Sequence, residues 1–267
     1  VSLPMTVTER YADPEAVLDV VNDVVGVQLA HRSVRKFLPG PVDDRQLQTL
    51  VTAAQSAPTS SNLQPWSVIA VRDPQRKARL AKLANNQQFI NEADLFLVWV
   101  ADLGRARRIA QRAEAPLEAA DYLETTIIGF VDTALAAQNA VVAAESLGLG
   151  TVFVGAIRNH PLEVAEELGL PAHTIATFGL AVGVPDPSES AGIKPRLPQS
   201  AVLHRETYDA AVADADIDRY DEVLEEYNRR HGITLVIVTH DDDLAARCDR
   251  RIVVLDGQAV EEEQAAA

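Results

Sequence analysis

Apolar residues along this chain fall at two spacings, and the changes of spacing mark the elements. Asp13-Pro14 offers a cap followed by proline at a first helical position. Val17, Val20, Val21 and Val24 follow at helical intervals, predicting a helix that fades near Leu29. Pro41 with Asp43 or Asp44 opens a second helix through Leu47, Leu50, Val51 and Ala54, stopped near Pro58. "PTSSNLQPW" (58–66) is loop chemistry, "WSVIAV" (66–71) reads as a strand, and "DPQRKARLAKLA" (73–84) as a capped helix. "DLFLVWVAD" (94–102) is a continuous apolar run of strand length, hence a strand buried on both faces.

The longest predicted helix covers 121–147. Ile127, Ile128, Val131, Leu135, Val141 and Val142 repeat at helical spacing, while Ala134, Ala136, Ala137, Ala140, Ala143 and Ala144 make its surface thin enough for another helix to approach. Gly148 and Gly150 end it. "TVFVGA" (151–156) is a strand breaking at Gly155. Asn159-His160-Pro161 starts a short helix closed by Gly169, and "IATFGLAVGVP" (175–185) is another buried strand. "PDPSESAGIKPRLP" (185–198) is loop or extended chain, and "AVLHRETY" (201–208) pairs as an edge strand. A helix from Asp216 ends at Gly232; strand "TLVIVTH" (234–240), a short helix from Asp241 and strand "RIVVLDG" (251–257) follow. Strands and helices mix without strict alternation, so the fold class over residues 1 to about 231 is α+β.

Composition narrows what this body does. The 267 residues suffice for a full core, and 47% hydrophobic with 24% charged residues is ordinary for a globular protein. Asp and Glu number 39 against 24 Lys and Arg, a formal charge of −15, and the pI is near 4.8. That balance excludes a general nucleic-acid binder, which needs a broad cationic face, but leaves room for one local anion pocket. No apolar run reaches the length of a membrane span, no signal-peptide pattern is read in the first residues, and the cysteine usage leads to the expectation of a cytoplasmic setting. Cys248 is the single cysteine, which precludes an internal disulfide. No Cys/His metal spacing and no internal repeat is present.

Against the acidic background, "HRSVRKF" (31–37) gathers His31, Arg32, Arg35 and Lys36. Cations just past a helix C-terminus complement the helix dipole, and Ser33 and the hydroxyls at 59–61 can be plain turn residues. A second basic pair changes the weighing. "IKPRLP" sets Lys194 and Arg196 two positions apart in extended chain, so both heads point to one side, and Pro195 and Pro198 stiffen the segment. Arg32 and Ser33 with Lys194 and Arg196 make a plausible cradle for one phosphate. Neither GxxxxGK[ST] nor GxGxxG occurs, so a glycine-rich phosphate loop is not the route.

"HRSVR", "TSSNLQPW", "NNQQF", "FVDTALAAQNAVVAAESLGLGTVFVGAIRN" and "KPRLP", in this order, resemble the flavin reductase / oxygen-insensitive NADPH nitroreductase family, the larger-subunit group that uses FMN. The similarity runs from about residue 27 to about 231. It implies a nitroreductase-like sheet flanked by helices, in a domain-swapped homodimer around the long helix, with FMN at the interface. It also implies a ping-pong cycle in which NADPH or NADH reduces FMN and a nitroaromatic, quinone or free flavin takes the electrons. By the same resemblance His31, Arg32 and Ser33 form the first FMN stretch, with Arg32, Ser33, Lys194 and Arg196 on the phosphate. Arg35 would sit by the N1/O2 edge of the ring. Thr59, Ser60, Ser61, Asn62 and Gln87 contact the ring, and Phe153, Val154, Gly155 and Ala156 run along it. The family commonly has a second glycine where Ala156 stands. Arg35 and the Gly155 backbone N–H would carry the catalytic contributions, since the cofactor carries the chemistry.

After "DRYDEVLEEYNRRHG" the family's basic loop for the NADPH 2′-phosphate is missing, and Arg229, Arg230 and His231 are the nearest remaining cations. An FMN-binding protein with impaired nicotinamide binding is therefore the alternative function. Residues 232–260 instead resemble the end of an ABC transporter ATPase, with His240 as its switch histidine. Without a phosphate loop or an LSGGQ-like signature, 232–267 is expected to be an appended segment without ATPase function. Asp241 to Asp243 read as an acidic helix start rather than a metal site, and Cys248 as a packing residue.

Overall fold

The computed structural model describes residues 3–209, 214–232, 236, 245–246, 248, 250–255 and 258–261. The chain divides into two compact units, Val1–Tyr220 and Asp221–Ala267. In chain order the elements are α1 (Leu3–Tyr11), α2 (Asp23–Leu29), β1 (Phe37–Leu38), α3 (Asp44–Gln55), β2 (Trp66–Val71), α4 (Pro74–Leu83), α5 (Phe89–Glu92), β3 (Leu95–Asp102), α6 (Leu103–Arg112), α7 (Leu123–Ser146), β4 (Gly150–Val154), α8 (Pro161–Leu168), β5 (Thr174–Pro185), α9 (Asp214–His231), β6 (Ile252–Leu255) and β7 (Gln258–Glu261).

The caps read from the sequence operate as chemistry requires. Asp43 closes a reciprocal capping box with Gln46 at the start of α3. Asp73 accepts the Arg76 N–H ahead of Pro74 in α4, and Gly169 ends α8 at φ 63°. Mixed helices and an antiparallel sheet give the α+β class expected.

In the first unit, β1, β5, β3 and β2 lie side by side and antiparallel, and β4 pairs with the same edge of β5 that β1 meets further along. All eight residues of β3 are buried, and their alternation supplies two layers. Phe96 and Val98 face a core with Val34, Leu80, Ile90, Val152 and Ile157. Leu95, Leu97 and Trp99 face another with Leu50, Trp66, Ala137, Ala140 and Leu180. That second layer is where α3 and α7 pack, and it explains the alanines of α7. Ala136, Ala137, Ala140 and Ala144 are fully buried, so the thin face lets the helix settle within its own chain. The bulkier Ile127, Val131 and Leu135 are 47%, 50% and 42% exposed on another side. By length and composition α7 would also suit a bilayer, although acids interrupt its apolar positions. Its buried alanine face identifies it as a core helix.

Several expectations need correction. Residues 13–29 do not form one helix. The chain is helical before them in α1 and again only in α2, capped by Asn22, whose side chain accepts the Val25 N–H. Val17 and Val20 are 76% and 89% exposed, so helical spacing here met no surface to bury against, and a helix without a buried face has little to hold it. "AVLHRETY" forms turns and no strand; Val202, Leu203 and Tyr208 are exposed. The pattern also missed α5, α6 and β7, whose pairing with β6 makes a hairpin around the expected final strand. Of the expected strand 234–240 only Val236 is described, exposed and outside any strand, while His240 and Asp241 to Asp243 lie outside the described residues.

Candidate functional site

The segment holding His31 to Lys36 runs along the start of β4. Ser33 bridges Thr151, and the Val34 N–H donates to the Thr151 carbonyl at 2.9 Å. A Cβ at Gly150 would fall 2.9 Å from three atoms of Val34, so glycine permits this approach. His31 Nδ1 lies 2.6 Å from Glu145 Oε1 on α7, and the Thr151 hydroxyl donates to the same oxygen at 2.9 Å.

Arg10, which no sequence motif singled out, joins the two basic stretches. Its side chain donates to the carbonyls of Leu29 (2.8 Å), His31 (2.5 Å) and Lys194 (2.9 Å). The Arg196 N–H returns a bond to the Arg10 carbonyl at 2.9 Å. One guanidinium thus draws the backbone of 29–31 and that of 194–196 together across a long sequence gap. Burial first, and then the nearby Arg196 charge, lower the Arg10 pKa. Lys194 and Arg196 are exposed, and neither makes an ion pair among the described residues. Arg35 is likewise exposed. Arg32 is engaged elsewhere, 2.8 Å from a Glu189 carboxylate oxygen.

The far end of β4 is apolar. Val131, Ala134, Leu135 and Gln138 of α7, with Phe153, Gly155, Arg158 and Phe178, line an open depression of about 560 Å³. Phe153 stands edge-on to Phe178, ring centroids 5.2 Å apart. Val154 is 3% exposed and points into the core, as strand alternation requires, and Ala156 packs against the same core. Neither side chain lines the depression, so a methyl at 156 does not fill it. Arg158 was missed from sequence. A bulge in the pairing of β3 with β5 leaves Thr177 out of register, and its carbonyl accepts the Arg158 guanidinium.

The loop at 59–62 is anchored to α7 by another residue that sequence reasoning passed over. Asp132 is 3% exposed, and its carboxylate accepts the Ser60 N–H at 3.1 Å and 3.4 Å. Burial raises the Asp132 pKa, against the opposite pull of that bond. Ser61, Asn62 and Gln64 adopt positive φ (49°, 54° and 50°). The Thr59 hydroxyl accepts the Gln64 N–H at 3.4 Å, and Arg105 secures the far end through the Gln64 and Trp66 carbonyls at 2.5 Å and 2.7 Å. Asp132 lies about 100° round α7 from Val131, so the loop and the depression occupy different sides of that helix. Gln87 follows Asn85 and Asn86, both at positive φ, and its N–H bonds the Ala81 carbonyl; no contact of its side chain with the depression is present among the described residues. The expected site residues are therefore brought together in two groups, His31 to Arg35 with 194–196, and Phe153 with Gly155. Thr59 to Asn62 and Gln87 stay apart from both within one chain.

Among the described residues no cluster of His, Cys, Asp or Glu could hold a metal. The donor set suits instead an elongated ligand with an anionic end and a flat apolar end. Exposed cations with no ion pair among the described residues stand near the start of β4, and an apolar wall with a glycine stands at its finish, about 13 Å along the strand. FMN has this chemistry.

Comparison with known proteins agrees. The nitroreductase family model matches residues 29–184, and the model of the nitroreductase family C-terminal domain matches residues 194–251. The NADPH-flavin oxidoreductase of Vibrio harveyi is 40% identical over 207 residues, 78% of this chain and 83% of the relative. The FMN reductase [NAD(P)H] of Bacillus subtilis is 40% identical over 213 residues, 79% and 85% of the two chains. The solved structure of B. megaterium NfrA2 superposes with a TM-score of 0.76 at 42% identity, covering 79% of this chain and 85% of that one. With the first model spanning more than half of its length, and relatives at this identity covered over most of theirs, this chain belongs to the nitroreductase family.

Proposed function

We propose that this protein is an FMN-dependent NAD(P)H oxidoreductase that passes electrons to small acceptors such as nitroaromatics, quinones or free flavin. The observation that carries the reading is the convergence of the two basic stretches through Arg10, in a family whose relatives here are flavin and FMN reductases. FMN, when bound, supplies the acceptance and donation of electron pairs. The chain supplies the rest. Lys194 and Arg196 neutralise the phosphate, with Ser33 beside them. Arg35 offers a guanidinium to the side of the ring where charge accumulates on reduction, and preorganised charge there lowers the barrier. Phe153, Phe178 and the α7 side chains exclude water from one face, and Gly155 leaves its backbone N–H accessible.

The reading extends to a homodimer. Tyr122, Leu123, Ile127, Val131 and Leu135 expose apolar surface along α7. A second copy covering that stripe would bury it, and could bring its own 59–62 loop and Gln87 toward the depression. The single cysteine fits a reducing cytoplasm. We also retain 1–231 as the flavin-binding part and 232–267 as a segment without ATPase work. The alternative, a flavin binder unable to use nicotinamide, is not favoured, because the relatives at 40% identity carry reductase names.

The test is to load the purified chain with FMN and add NADPH or NADH anaerobically. Bleaching of the flavin spectrum is expected. A chain that binds FMN and stays oxidised with both would return the alternative, and one that cannot be loaded removes both readings. Arg196→Ala should weaken FMN about tenfold or more while leaving riboflavin unchanged, since only FMN has the phosphate. An unaltered FMN-to-riboflavin ratio would remove Arg196 from that role.

A further inference from the structure

Arg32 does not point freely into the expected cradle, because an acid of the same chain holds it. Arg32 Nη1 lies 2.8 Å from Glu189 Oε2 and 3.2 Å from the Ala191 carbonyl. The other carboxylate oxygen, Glu189 Oε1, accepts the Arg35 backbone N–H at 2.9 Å. The pair is largely enclosed, with 26% of the Arg32 side chain and 12% of the Glu189 side chain exposed.

The loop that delivers Glu189 is built against the 31–37 stretch. The Asp186 N–H donates to the Lys36 carbonyl at 3.0 Å, and the Glu189 N–H to the Asp186 carbonyl at 3.1 Å. Lys36 Nζ reaches the Ser188 hydroxyl at 2.6 Å and the Asp186 carboxylate at 3.3 Å. Glu189 is therefore placed by backbone and side-chain bonds on both flanks.

A carboxylate that takes a guanidinium with one oxygen and a backbone N–H with the other satisfies the donors a phosphate would use. We propose that Glu189 is an internal anion that competes with the flavin phosphate for Arg32, and so limits how tightly and how long this protein holds FMN. The proposal rests on the reading of 31–35 with 194–196 as a phosphate cradle. A phosphate arriving at Lys194 and Arg196 has two choices. It leaves Arg32 with Glu189 and sits beside a fixed negative charge, or it displaces the carboxylate, which then loses its partners. Both weaken binding relative to a cradle without the acid. The consequence is a cofactor that exchanges, which suits an enzyme able to take free flavin as acceptor.

Glu189→Gln removes the charge and keeps an acceptor for the Arg35 N–H, so the loop is retained. Flavin titrations of the full chain, read by fluorescence quenching, should show FMN bound about tenfold more tightly by Glu189→Gln, a gain of about 1.4 kcal/mol. Riboflavin affinity should be unchanged, and FMN dissociation correspondingly slower. Glu189→Ala, which also removes the charge, should repeat the gain for FMN. Arg32→Gln should cost little in the wild-type chain and much more in the Glu189→Gln chain, because only there is the guanidinium released to the phosphate. The proposal is overturned if wild type prefers FMN over riboflavin yet neither Glu189 variant tightens FMN, or if both weaken it; Glu189 then serves only to position Arg32. A wild-type chain that binds FMN and riboflavin equally overturns the phosphate cradle itself, whatever the variants do.

Discussion

Replacing Arg10 by methionine tests the joint between the two basic stretches. Methionine keeps an unbranched stem of similar bulk in a site where Arg10 is 8% exposed, and removes only the guanidinium. Three carbonyls, of Leu29, His31 and Lys194, lose a charged donor. A hydrogen bond to a charged group contributes about 1.5–3 kcal/mol, so three would amount to well over 4 kcal/mol if none could be replaced. Two effects reduce that figure. Water can reach carbonyls at the edge of the site, and the like charge of Arg196, which together with burial lowers the Arg10 pKa, is relieved when the guanidinium goes. A net loss of about 2–4 kcal/mol remains. For a chain of this size each kcal/mol moves the melting temperature by about 2–4 °C, so the expected drop is roughly 5–15 °C.

The same change should reach the ligand. Once the 29–31 and 194–196 backbones are no longer drawn together, the phosphate loses about one charge-assisted contact, which corresponds to roughly ten- to a hundredfold in FMN affinity. Riboflavin should bind as before. Thermal unfolding and parallel titrations with FMN and riboflavin read both effects. An Arg10→Met chain that melts within about 1 °C of wild type and keeps the wild-type preference for FMN would show that the convergence is carried by other contacts.

Two further substitutions probe other parts of the site. Burial raises the Asp132 pKa, so the folded state binds that proton more tightly than the unfolded chain; the associated stability is complete at low pH and is lost as pH rises through the raised value. Asp132→Asn keeps an acceptor for the Ser60 N–H without the charge, and its stability should fall less than that of wild type across this interval; parallel curves of melting temperature against pH would contradict the assignment. At Gly155 a new Cβ would stand 3.3 Å from the Arg158 guanidinium, at the mouth of the apolar depression. Gly155→Val should weaken FMN and riboflavin alike, the opposite of the phosphate-selective effect expected at Arg196, and a loss confined to FMN would put the ring elsewhere.

What could be read in advance follows from where each signal lies. β3 was legible because a fully buried strand must be apolar at every position, and α3 because Asp43 and Gln46 write a capping box within four residues. The apolar spacing at 17–24 misled, since a period specifies which face a helix would bury and not that a surface exists to receive it. In the site the cations were visible as clusters, but their partners were not. Glu189 lies 157 positions from Arg32, and Lys194 lies 184 positions from Arg10, so no local spacing encodes either contact. Two of the three acids on α7 are different, Glu124 lying in its first turn. Asp132 and Glu145 interrupt an otherwise apolar and small-residue helix, and a carboxylate in such surroundings is costly unless something donates to it. Each has a partner in a stretch of the expected site, Ser60 for Asp132 and His31 for Glu145, which also accepts the Thr151 hydroxyl of β4. A lone acid on a core helix is thus a locatable signal. Here α7 fastens the 59–62 loop at Asp132 and the 31–36 segment with the start of β4 at Glu145, so it holds stretches of the expected site from two points along its length as well as filling the core.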